Sequence, residues 1–131
     1  MTPRPMGGPA RRRLLLGACL TIWLAAFVAT HLPPRDVPRT GVGDIYLHAA
    51  GYFVLGTLLL LTLAAYDAAR PRRAAVALLA LAIYAALDEA TQPLVGRTAA
   101  MSDWLADLAG TAAALLLCEA ALRLREHKRE R

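Results

Sequence analysis

The sequence predicts an all-α fold: a membrane-spanning bundle of about four transmembrane helices. Of its 131 residues 57% are hydrophobic, above the roughly 45–50% of soluble domains. The apolar residues fall in four blocks, and nearly all of the charge lies between them. A soluble chain this short has too little interior to bury four such blocks, whereas lipid covers them.

Residues 1–13 contain Pro and Gly, end in Arg11-Arg12-Arg13 and read as a disordered basic N-terminus. The first helix is expected over about 14–32, stopped by Pro33-Pro34. At ~1.5 Å per residue it nearly spans the ~30 Å of hydrocarbon. Leu16-Gly17-Ala18-Cys19 has the outline of a lipoprotein cleavage box. Three leucines before it do not make an apolar region of roughly 7–15 residues. A cleaved signal peptide is the stronger alternative for this block, despite its long apolar run and poor small-residue site.

A loop follows to residue 44, rich in Pro, Gly and mixed charge. The second helix is expected over about 45–66 and the third over about 74–92, with the charged, Pro71-containing stretch from Asp67 to Arg73 as the turn between them. Pro93 ends the third helix, and a short loop leads to a fourth over about 103–124. Residues 125–131 read as a charged, exposed tail. Cys19 and Cys118 each lie inside an apolar block, without the spacing of a metal site or redox pair, and read as packing residues.

The net charge is +5, but its placement is more informative. The basic residues flank apolar segments instead of gathering on one face with aromatic partners, so the partner is a lipid bilayer and not a nucleic acid. Lys and Arg number four before the first helix, two and three in the next connections, one in the last and five at the C-terminal end. One side thus collects twelve and the other three. The positive-inside rule then places both termini in the cytoplasm.

With that orientation an unusual set of polar groups falls at the outer end of the bundle. Asp44 and His48 begin the second helix, Asp88, Glu89 and Gln92 end the third, Arg97 follows in the loop, and Asp103 and Asp107 begin the fourth. Measured from Arg73 and Arg123, Glu89 and Asp107 both lie about 24 Å up. Measured from Asp67, His48 lies near 28 Å, in a layer with Gln92 and Asp103 about one turn above the two acids. Asp44, His48 and Tyr52 share one stripe, Ala82, Ala85, Glu89 and Gln92 a second, and Asp103, Asp107, Gly110 and Ala114 a third; Asp88 points about 100° away from its neighbours' stripe. A carboxylate facing lipid at this depth costs at least ~2 kcal/mol, so the stripes are expected to face one another, with the small residues allowing close approach.

These residues resemble the VanZ-like family of small bacterial membrane proteins over about residues 44–115. Three motifs carry the resemblance: Asp44-x-x-x-His48-x-x-x-Tyr52-x-x-x-Gly56, Asp88-Glu89-x-x-Gln92 followed by Gly96-Arg97, and Asp103-x-x-x-Asp107-x-x-Gly110. The family usually carries Asn at the position of Asp107 and lysine at that of Ile45. The resemblance implies a bacterial cell membrane location and a cell-envelope role connected with glycopeptide resistance, without implying a reaction.

Three functions follow from this set. Asp44, His48, Tyr52, Glu89, Gln92, Arg97, Asp103 and Asp107 would form an outward polar pocket for an envelope lipid, a peptidoglycan precursor or a glycopeptide, with Arg97 as the phosphate or carboxylate partner. Alternatively, Glu89 and His48 would act as an acid–base pair, or His48 with Asp44, Glu89 and Asp103 would hold a divalent metal. Or the polar groups only pair with each other and hold the helices together. No cofactor is assigned, no metal is placed, and no nucleophile is flagged, since Thr98 and Ser102 have no demonstrated base beside them. Four short helices suit a small pocket and not a transport path, unless protomers assemble into an oligomer. His31 is expected as an interfacial residue, Tyr52, Trp104 and Trp23 as anchors or packing residues, and Glu119 as an i, i+4 partner of Arg123.

Overall fold

The computed structural model describes residues 8–37, 40–66, 68–129 and 131. Among these residues are four α-helices: α1 (Pro9–Thr30), α2 (Asp44–Ala65), α3 (Arg70–Thr91) and α4 (Met101–Arg129). All four are long and apolar enough to cross a membrane, as the segregated hydropathy predicts. Residues 1–7 of the expected disordered stretch, together with Arg39 and Asp67, lie outside the described residues.

Three boundaries differ from the sequence reading. α1 begins at Pro9 instead of Leu14, so Arg11–Arg13 are helical. α3 begins at Arg70 instead of Ala74 and takes in Pro71, the residue expected to mark the turn. Both prolines occupy the first helical turn, where the missing N–H would have had no intrahelical partner and the fixed φ suits the helix. The tail is not a separate segment either: α4 runs on through Arg125 to Arg129, and Glu126 pairs with Arg70 of α3.

Consecutive helices run antiparallel, as the short connections require. Residues 30–31 of the first hairpin reach residues 88–91 of α3, His48 reaches Asp107, and Arg73 reaches Glu119. The most extensive pairing is α2 with α4. Small residues make it close. A Cβ on Gly110 would run into the backbone carbonyl of Ala49, and one on Gly56 would lie 3.1 Å from the Ala114 Cβ. α3 packs on α4 and α2, and α1 packs on α2 and remains largely exposed.

The burial pattern is that of a chain solvated by hydrocarbon. Leu20, Leu24, Leu79, Leu87, Leu116 and Leu117 point outward, whereas His48, Asp88, Glu89, Gln92, Asp107 and Thr111 are buried. In lipid this arrangement removes polar groups from the solvent that penalises them. Away from that cluster two apolar cores pack the helices, one built on Leu55, Leu81 and Ala85 and one on Leu60, Ala77 and Leu115.

At the opposite end from the cluster, Glu119 does not pair with Arg123 as the local spacing suggested. Its carboxylate accepts two hydrogen bonds from Arg73 of α3, from Nε at 2.6 Å and from Nη2 at 2.8 Å. A bidentate fork to a neighbouring helix satisfies both carboxylate oxygens, which a flexible i, i+4 pair on an exposed face does not.

Candidate functional site

The cluster is built from the α1, α2, α3 and α4 ends that meet around residues 30, 48, 89 and 107. His48 is its centre. One turn into α2 and 6% exposed, it directs Nδ1 at Asp107 Oδ1, 3.0 Å away, and at Glu89 Oε1, 3.9 Å away. Its other nitrogen, Nε2, lies 4.0 Å from Asp103 Oδ2. His48 therefore stands among the acids and not in a layer above them.

Glu89 is held on both oxygens. Gln92, just past the end of α3, donates to Oε1 at 3.0 Å, and the backbone N–H of Ala100 donates to Oε2 at 2.9 Å. The 3-10 turn Gln92–Val95 that follows α3 closes on Gly96 at φ +78°, in the left-handed region that glycine enters without a Cβ penalty. That turn sends Arg97 back over the start of α2, where it donates to Asp44 Oδ2 at 3.2 Å.

Asp107 is wholly enclosed, and His48 is the one hydrogen-bond partner among the described residues: its Oδ2 has none. Two hydroxyls one turn deeper are also buried without a partner among the described residues, Thr111 on the stripe of Asp107 and Tyr52 on that of His48. Tyr52 packs against Tyr84 with ring centroids 5.9 Å apart.

The eight sequence-predicted residues thus converge on one end of the bundle, but they do not line one cavity. Asp44, His48, Tyr52 and Arg97 face a cleft of about 310 Å³ between α1, α2 and the connection after α3. Glu89 faces a second cleft of about 450 Å³ bordered by Ala100, Met101 and Trp104. Asp107 is closed off between the two.

Sequence reasoning missed a second polar knot. Asp88, read as pointing away, is 2% exposed. It accepts from Thr30 Oγ1 at 2.8 Å and from Gln92 Nε2 at 3.4 Å, and His31 Nδ1 lies 3.6 Å away. The other nitrogen of His31 is 2.9 Å from Thr91 Oγ1, so His31 is more than an interfacial residue. The signal was available: an acid aimed away from the α2 and α4 stripes needs a partner on the remaining helix, and Thr30-His31 is the polar end of α1.

No family model, curated protein or solved structure matches this chain.

Proposed function

We propose that this multi-pass membrane protein is VanZ-like and binds the head of an envelope amphiphile in the cleft beside Arg97. One observation carries the reading. The cleft joins apolar walls, among them Leu32, Val37 and Leu47, to a rim holding Arg97, Asp44 and His48. An amphiphile carries the same two surfaces. Arg97 uses one N–H on Asp44, and a guanidinium has five, so donors remain for a phosphate or carboxylate. Asp44, more than half exposed, would take an amine.

An envelope phospholipid, a peptidoglycan precursor and a glycopeptide all present an anion near hydrogen-bond donors. Retention of defined lipids by the purified protein, read by native mass spectrometry, distinguishes the sources. Arg97→Ala is expected to weaken retention of a phosphoethanolamine lipid about tenfold or more, which matches one charge-assisted hydrogen bond of ~1.5–3 kcal/mol. Equal retention by the wild type and Arg97→Ala removes the proposal. Retention of a precursor or glycopeptide in place of the phospholipid reassigns the ligand.

The proposal includes the orientation set by the basic residues, with both termini cytoplasmic and the cleft toward the outer leaflet. In a cysteine-free background, Val42→Cys is expected to react with a membrane-impermeant maleimide added to intact cells, and Ala69→Cys is not. The reverse pattern inverts the topology.

A further inference from the structure

We propose that His48, Glu89 and Asp107 bind one divalent transition-metal ion of the zinc and manganese class, independently of any ligand in the Arg97 cleft. The three side chains come from three different helices, are all buried, and offer ligand atoms that lie within 4.8 Å of one another. Bonds of ~2.1 Å set the donors around one ion about 3.0–4.2 Å apart. His48 Nδ1 lies 3.0 Å from Asp107 Oδ1 and 3.9 Å from Glu89 Oε1, so both separations fall within that range.

The second, independent observation is Asp107 itself. Its side chain is fully enclosed, and Oδ2 has no hydrogen-bond partner among the described residues. An unpaired buried carboxylate oxygen is costly, and more so in a hydrocarbon setting. Charge points the same way. Asp107 and Glu89 converge on a single imidazole, whereas the two arginines described at this end, Arg97 and Arg35, are engaged with Asp44 and Asp36. A divalent ion with a neutral imidazole and two carboxylates sums to zero, so the ion removes the like-charge conflict that the geometry creates.

The surroundings are those of a held ligand set. Gln92 and the Ala100 N–H fix both oxygens of Glu89, leaving Oε1 a free lone pair. When Nδ1 binds the ion, Nε2–H faces Asp103, as a metal-bound histidine commonly faces a carboxylate. One imidazole with two carboxylates suits zinc and manganese better than calcium or magnesium, which favour all-oxygen shells.

The test uses full-length protein in nanodiscs, stripped with a chelator, exposed to micromolar Zn²⁺ or Mn²⁺, desalted and assayed for metal by mass spectrometry. About one equivalent per chain is expected, with a rise in melting temperature that the chelator reverses. Asp107→Asn and His48→Ala are each expected to bind at least tenfold more weakly, and Asp44→Asn to bind as wild type does. Asp44 matters because it forms an alternative trio with His48 and Asp103. Wild-type protein holding less than a tenth of an equivalent of either metal overturns the proposal, a result that needs no variant to fold. Undiminished binding in Asp107→Asn, or loss in Asp44→Asn alone, overturns it as well.

Discussion

Gly110→Ala is expected to destabilise the bundle by about 3 kcal/mol or more, at the upper end of what overpacking costs. The added methyl would meet the backbone carbonyl of Ala49, which cannot rotate aside like a side chain, so α2 and α4 have to separate. Separation at that level also pulls His48 from Asp107, since both lie within one turn of the contact. Reversible unfolding in mixed micelles, followed by the fluorescence of Trp104, measures the loss. Gly17→Ala on α1 is the comparison: nothing lies within 4 Å of the new Cβ, and the helix-propensity gain leaves it neutral or more stable by up to ~1 kcal/mol. Equal stability of the two variants would mean that α2 and α4 are not in backbone contact.

The second large effect is expected at Arg73 and Glu119. Their side chains are 6% and 12% exposed and bonded through both carboxylate oxygens. Removing either charge alone strands the other in a poorly solvated place, and Arg73→Ala or Glu119→Ala is expected to cost about 3–5 kcal/mol. Replacing both by leucine is expected to cost much less than the sum of the single changes, because no charge is left behind. A double-mutant cycle on the same unfolding assay reads the coupling. Coupling near zero would reduce the pair to an ordinary surface contact.

These two contacts show how far the sequence could be read. Four helices were legible because hydrocarbon imposes length and apolar content on each one separately, without reference to its neighbours. The convergence of His48, Glu89 and Asp107 was legible too, through the i, i+4 stripes and a rise per residue that fixes depth. Choice of partner was not. Glu119 had a basic residue one turn away in sequence and another on α3, and only the packing decides for Arg73. Asp88 found Thr30, which the polar end of α1 announced but which no periodicity of that helix singled out as the partner. The prolines misled for a different reason: Pro9 and Pro71 break a helix in its middle but open one at its start, and the residue alone does not say which.

The 29 residues of α4 make a rod of about 44 Å, against ~30 Å of hydrocarbon. Some two or three turns therefore stand clear of the acyl chains as a stiff post. Arg125 and Lys128 lie on that post, and Glu126 ties it to the first turn of α3. In a bilayer such a post would work as a float: its cationic tip would favour anionic headgroups and help to set how deep the bundle rides. Shortening it would let the protein sink or tilt, and the carboxylates at the far end would then meet the bilayer at a different level.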